Sequence, residues 1–281
     1  METIYFYKMH GLGNDFVIFD QRERALASHG KKKHTFSKKD ILNICDRNKG
    51  VGCDQVIIIN EKSSQEVMIE FYNSNGEEIH ACGNGSRCVA NLLMKEKQLN
   101  EIEINTKERK LSCKRVDGDI ISIDMGKPKF DWTEIPLKEN PIVDNIKYHV
   151  DGLTLEQPYF VNVGNPHVIF FVEDINRYEI GRFGPLIETD QLFPEKVNVS
   201  IAQIISPNII SINVWERGAG RTLACGTAAC AVAVAAITYH NCNNELEIEL
   251  PGGKLDISYK MNKNIAMSGK TELSFEGRFE L

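Results

Sequence analysis

The segment "HACGNGSRC" (residues 80–88) has a counterpart in "LACGTAAC" (residues 223–230), which sets Cys82 and Cys225 143 residues apart in a chain of 281. Nine residues ahead of each cysteine a polar residue closes a strand-like run: Asn73 after "VMIEFY" and Glu216 after "IISINVW". Upstream, "GNDFVIF" (13–19) matches "GNPHVIF" (164–170) at an offset of 151, and downstream "KLSCK" (110–114) matches "KLDISYK" (254–260) at 144. Blocks in one order at nearly one spacing mark an internal duplication. A duplicated chain folds as two units on one plan, so a feature placed at a turn in one half recurs in the other.

Within each copy the pattern runs strands, helix, strands. "IYFYKM", "FVIFD", "QVIIIN" and "EVMIEFYN" are short and β-rich, with turn residues between them. Ser37 followed by Asp40 predicts a capping box opening a helix over "SKKDILNICDR". Val89, Leu92 and Leu93 predict a second helix from Gly85 to about Gln98. "EIEINT", "KLSCKRV" and "IISIDMG" then return to strand. The second copy repeats this with "VIFFVED", "IISINVW", a helix from Cys225 to about His240, "LEIEL" and "KLDISY". That helix is apolar almost all round, so a sheet should enclose it. The break between copies is expected near "MGKPKFDWTEIP", where prolines and polar residues interrupt the strands.

A net charge of −6 and a pI near 5.7 argue against nucleic acid or an anionic membrane as partner. The one basic run, "GKKKHTFSKK" (30–39), reads as a solvated loop. The longest apolar run, 228–239, is too short to span a bilayer. The N-terminal residues lack the layout of a signal peptide, so the expected setting is the cytoplasm, where thiols stay reduced. The eight cysteines then need no disulfide framework, and without paired CxxC spacing they do not suggest structural zinc. Cys45, Cys53, Cys88, Cys113, Cys230 and Cys242 read as small buried hydrophobes.

Cys82 and Cys225 read differently, because both sit in a glycine-containing turn that opens a helix. Unpaired N–H groups and the positive end of the helix dipole there should lower a thiol's pKa, and the same N–H groups can hold a carboxylate. Gly83, Asn84 and Gly85 leave room for that approach, as do Gly226 and Thr227. If the two halves converge on one carboxylate, a sulfur lies on either face of its α-carbon. That arrangement suits inversion of a stereocentre, with thiolate removing the proton from one face and thiol returning one to the other. Helix N-termini would stabilise the enediolate-like intermediate, and no cofactor or metal is needed.

"MHGLGNDF", "FYNSNGEEIHACGNGSRC", "VGNPHV", "EKVNV" and "ERGAGRTLACGTAAC" together resemble the signature segments of diaminopimelate epimerases, in the family's order and over nearly the whole chain. The resemblance implies a cofactor-independent, two-base enzyme interconverting LL- and meso-diaminopimelate, a precursor of lysine and peptidoglycan. It implies an α+β fold of two pseudo-symmetric domains, each a mostly antiparallel sheet or barrel around a central helix. The expected division is residues 1–126 plus 270–281 against 127–269, because the family's final strand returns to the first domain. Carried over residue by residue, Cys82 and Cys225 are the catalytic pair, and Gly83 and Asn84 with Gly226 and Thr227 are the carboxylate cradle. Asn14, Gln55, Asn73, Asn165, Asn198, Glu216 and Arg217 take substrate-binding positions. His167 stands beside a catalytic thiol as a group tuning its ionisation. A substrate with an amino-acid group at each end independently calls for neutral amides, a bidentate cation such as Arg217 and a carboxylate such as Glu216. The family's second motif commonly carries glycine where this chain has Ala228, a change that leaves the Gly226 and Thr227 donors in place. The expected partner is a small molecule; a homodimer is carried as an expectation on which the residues are silent.

Four other readings are weighed on the residues. A two-base racemase acting on proline or hydroxyproline shares the thiol logic, but not the amides and arginine for a distal group. Isomerase-like proteins of the phenazine-biosynthesis family lack the cysteine pair. A redox switch would join Cys82 to Cys225 as a disulfide. A non-catalytic binding protein would have no use for the second thiol.

Overall fold

The computed structural model describes residues 3–63, 66–79 and 82–280. The chain divides into two compact units, Met1–Ile123 with Gly269–Leu281, and Asp124–Ser268. The fold is α+β and dominated by strands.

The first unit is built on a ladder that starts at Glu272–Glu280, antiparallel to Thr3–Gly11. Thr3–Gly11 pairs antiparallel with Asn14–Asp20, which runs parallel to Gln55–Glu61. Gln55–Glu61 is antiparallel to Val67–Asn73, which meets Glu101–Asn105 in parallel through Met68 and Asn105. Lys110–Asp117 and Ile120–Gly126 complete the ladder as antiparallel neighbours. Three helices interrupt it: α1 (Glu23–Ser28), α2 (Lys38–Cys45) and α3 (Gly83–Lys97). The expected capping box on α2 is present, since Ser37 Oγ accepts from Asp40 N while Asp40 accepts from Ser37 N. Ile41 and Ile44 of α2 join Val17, Phe19, Val56 and Ile58 in one buried cluster.

The second unit repeats that order. Tyr159–Asn162 is antiparallel to Pro166–Phe171, which is parallel to Asn198–Ser206. Asn198–Ser206 is antiparallel to Ile209–Glu216, which is parallel to Glu245–Leu250. Gly253–Ser258 and Ile265–Lys270 follow antiparallel. The same sequence of orientations in both halves is the structural form of the duplication. The helices here are α4 (Ile180–Glu188) and α5 (Gly226–Tyr239).

α5 is enclosed as its composition requires: every residue from Ala228 to Ala236 is fully buried. Valines at 232 and 234 cost α5 about 0.5 kcal/mol each in helix propensity. Burying a valine side chain returns about 1.5–3 kcal/mol, so packing rather than propensity holds this helix. α3 is buried all round from Asn84 to Asn91 and exposed only in its last turn, and it carries the polar residues Asn84, Ser86, Arg87 and Asn91 inward. α4 was not expected from the sequence. It buries Ile180, Phe183 and Ile187 in the core of the second unit, and its Gly184 lies so close to Trp215 that an added Cβ would overlap the indole ring. The hairpin of Lys147–Val150 with Leu153–Glu156 was likewise unanticipated. Among the described residues no helix is long and apolar enough to cross a membrane.

Candidate active site

Each unit brings its share of the candidate residues to one end of its ladder. In the first, Gln55 opens its strand directly opposite Asn73, which closes the neighbouring strand, and Gln55 Nε2 donates to Asn73 Oδ1 at 3.0 Å. Gln55 Oε1 is buried with no hydrogen-bond partner among the described residues. Such an acceptor costs free energy until a donor reaches it, which suits a substrate ammonium. Cys82 is the N-cap of α3, in extended backbone, and its sulfur accepts from Gly85 N at 3.4 Å. Asn84, in the first turn, is buried and hydrogen-bonded through Oδ1 to the guanidinium of the fully buried Arg87 at 2.7 Å.

Asn14 links these groups. Its Nδ2 donates to Asp54 Oδ2 at 2.8 Å, and a carboxylate only accepts, so the amide orientation is fixed. Its Oδ1 therefore faces Asn84 Nδ2 at 3.4 Å and the Cys82 sulfur at 4.0 Å. Asp54 and Asp15 hold one another's backbone N–H groups, and Arg47 bridges both carboxylates. Arg47 and Lys8 keep the Asp15 carboxyl well below the usual range against the opposing effect of burial. Asp54 and Arg87 were not singled out in the sequence. Their signals were adjacency to Gln55 and position one helical turn past Asn84.

In the second unit the corresponding strand ends carry His167 opposite Asn198, with Val199 opposite Trp215 one step from Glu216. Cys225 is the N-cap of α5 with nearly the same backbone as Cys82, φ −128° and ψ 109° against −146° and 109°. Its sulfur lies 3.4 Å from Thr227 Oγ1. Thr222, also missed in the sequence, donates to Glu216 Oε1. Asn198 is committed to the protein: Nδ2 donates to Pro166 O at 2.8 Å and Oδ1 accepts from Arg217 N at 3.0 Å, leaving one N–H. Arg217 is exposed, with Nη1 donating to Glu195 O at 3.1 Å.

One expectation is corrected. Cys225 is not acidified by its place at a helix N-terminus. It is 5% exposed, and burial together with the neighbouring Glu216 carboxylate pushes the thiol well above its ordinary value. Thr227 and the Ala228 N–H pull the other way and lose, because a desolvated thiolate beside a carboxylate costs more than two donors recover. Burial raises Glu216 too, opposed by its bonds to Thr222 and Cys225. Cys225 therefore stands as a thiol.

His167 is fully buried, and Nε2 lies 2.9 Å from Asn165 Oδ1. With Nε2 donating there, Nδ1 is left as a bare acceptor with no partner among the described residues. Burial, helped by the Arg217 charge, lowers its pKa to about 3. A base whose folded-state pKa is depressed contributes stability that is intact above its unfolded value near 6.5 and is lost as pH falls toward 3. Between pH 6 and 4 the wild-type chain is expected to lose up to about 1.4 kcal/mol per pH unit more than His167→Gln. Urea midpoints of both proteins across that range measure the difference in slope, and parallel lines would show that His167 is not held neutral.

The other six cysteines are buried, as expected, with the Cys45 and Cys53 sulfurs 3.5 Å apart.

Comparison with known proteins finds relatives over nearly the whole chain. The family model for diaminopimelate epimerase matches residues 6–131 and 159–274. The diaminopimelate epimerase of Pelagibacter ubique is 42% identical over 272 residues, 94% of each chain. That of Erythrobacter litoralis is 39% identical over 277 residues, 99% of this chain and 97% of its own. Among solved structures, a phenazine biosynthesis protein of Bacillus anthracis superposes with a TM-score of 0.70 at 15% identity, covering 100% of both chains. A hydroxyproline epimerase of Agrobacterium vitis gives 0.63 at 11% identity, covering 98% of this chain and 92% of its own. The distant structures share the fold, while the family model matches most of the chain and the relatives are about 40% identical over nearly its whole length, and on that ground the chain belongs to the diaminopimelate epimerase family.

Proposed function

We propose that this protein interconverts LL- and meso-2,6-diaminopimelate by a cofactor-independent two-thiol mechanism, in which Cys82 and Cys225 act on opposite faces of one α-carbon. The observation that carries the reading is the matched pair of thiols, each the N-cap of the helix that follows the strand ending in Asn73 or Glu216. In one direction a thiolate takes the α-proton and becomes S–H, and the C–H electron pair moves into the carboxylate as an enediolate. The opposing S–H then gives its proton to the other face of the carbon and is left as thiolate. In the reverse direction the roles exchange, so the protonated state of Cys225 fits it as the donor of one direction.

Backbone N–H groups in the first turns of α3 and α5 bind the reacting carboxylate and meet its growing charge. The unpartnered Gln55 Oε1 accepts from the ammonium, Arg217 clamps the distal carboxylate, and Glu216 pairs with an ammonium. His167 Nδ1 offers a neutral acceptor rather than a charge. The product feeds lysine and peptidoglycan synthesis, and the setting is cytoplasmic.

The test is proton NMR of LL-diaminopimelate with the reduced protein in D₂O. Loss of the α-proton signal with appearance of the meso isomer is the expected result. Absence of exchange, with exchange of proline under the same conditions, would replace the substrate while keeping the chemistry.

A further inference from the structure

Glu188 closes α4, an element outside the cysteine motifs and their repeat. It is 6% exposed, and a carboxylate so placed must be paid for by donors. The donors are specific. Trp215 Nε1 reaches Glu188 Oε2 at 2.7 Å, Gly218 N reaches Oε1 at 3.0 Å, and Lys196 Nζ stands 3.6 Å from Oε1. Trp215 and Gly218 are the residues immediately before and after Glu216 and Arg217. A single buried side chain thus grips both ends of the segment that carries the two charged substrate contacts. The indole is pinned from its other side as well, since it packs where Gly184 of the same helix has no side chain.

We propose that Glu188 is a positioning residue for this reaction, holding the Trp215–Gly218 turn so that Arg217 meets the substrate's distal carboxylate. The proposal rests on the reading of Arg217 given above. Glu216 has a second tether in Thr222, and the Arg217 backbone N–H is held by Asn198, so the part of the turn that depends most on Glu188 is the Gly218 side of Arg217. The three donors outweigh burial and hold the Glu188 carboxyl below its ordinary value, so it stays ionised through the neutral range. A neutral isostere keeps the shape but can accept at only one of its two ends. A contact kept equally in the ground and transition states is lost as KM with kcat retained, and the distal carboxylate, which does not change during the reaction, is placed for such a contact.

The experiment compares initial-rate kinetics of wild type, Glu188→Gln, Trp215→Phe and Arg217→Lys with LL-diaminopimelate, alongside thermal midpoints. Glu188→Gln is expected to raise KM about tenfold while kcat changes less than about threefold, the kinetic equivalent of one lost charge-assisted hydrogen bond. Trp215→Phe removes one donor and keeps the ring against Gly184. It should raise KM in the same direction, and the double variant should be less than additive, because both changes break one bond. A fall in thermal midpoint with KM unchanged at 25 °C would reduce Glu188 to a structural role and overturn the proposal. If Arg217→Lys also leaves KM unchanged, the assignment of Arg217 itself fails. If Arg217→Lys raises KM and Glu188→Gln does not, only the positioning role is lost.

Discussion

Cys82→Ala and Cys225→Ala are each expected to lower the rate of epimerisation by about ten-thousandfold, the upper range for loss of a positioned acid or base. The reason is stoichiometric. Inversion needs a proton removed from one face and another delivered to the opposite face, and one sulfur cannot serve both. The two variants should differ in what remains. With one thiol left, proton removal is still open to the single epimer whose α-hydrogen faces it, and the proton returns to the face it left. In D₂O the Cys82→Ala protein should therefore label one stereoisomer without inverting it, and Cys225→Ala the other. Residual exchange of the same isomer in both variants, or epimerisation within tenfold of wild type in either, would sink the two-thiol mechanism.

The stability of these variants should also differ. Cys82 Sγ accepts the Gly85 N–H and so caps α3, whereas the Ala228 N–H stands near the Cys225 sulfur without completing a capping hydrogen bond to α5 among the described residues. Loss of an N-cap acceptor costs about 0.5–2 kcal/mol, so Cys82→Ala should melt earlier than Cys225→Ala. The asymmetry separates a folding defect from a chemical one: an inactive Cys225→Ala protein with a near-native thermal midpoint has lost chemistry alone.

The duplication was legible in the sequence because it copies motifs, and the α5 core because nine consecutive apolar residues admit no exposed face. α2 was legible through its capping box. α4 was not, since "IGRFGPLIE" carries Gly184 and Pro185 mid-element, and both discourage a helix locally. Its reason to be helical is tertiary: glycine admits Trp215, and the apolar residues at 180, 183 and 187 face one core. The first turns of α3 and α5 begin at Gly83 and Gly226, with the cysteines themselves as caps, where sequence periodicity placed the starts at Gly85 and Cys225. Motif matching located the residues in contact with substrate in the proposal but not those that orient them. Asp54, Arg87, Thr222 and Glu188 hydrogen-bond to a candidate residue or to its chain neighbours, and nothing in local spacing reveals a hydrogen bond to a residue 40 positions away, as between Asn14 and Asp54. The protonation of Cys225 was misread for a related reason. A helix N-terminus can be read from sequence, but the burial that overrides it comes from packing.

Arg217→Lys is expected to raise KM for LL-diaminopimelate by about ten- to a hundredfold, with kcat reduced far less. Lysine keeps the charge but loses the planar fork that binds a carboxylate through two parallel bonds. One charge-assisted hydrogen bond is worth about 1.5–3 kcal/mol, and about 1.4 kcal/mol is tenfold in affinity, which sets that range. Because Arg217 is exposed and, among the described residues, its guanidinium bonds only the Glu195 carbonyl, the substitution should leave the thermal midpoint almost unchanged. The pattern distinguishes the substrates still in contention. An amino acid with no distal carboxylate gains nothing from the fork, so a racemase for proline would turn over equally well in both proteins. Initial rates with diaminopimelate and with proline on the pair of proteins decide it. A KM effect confined to diaminopimelate assigns Arg217 to the far end of the molecule. A loss in kcat with KM intact would instead place its contact in the transition state, next to the carbon that inverts.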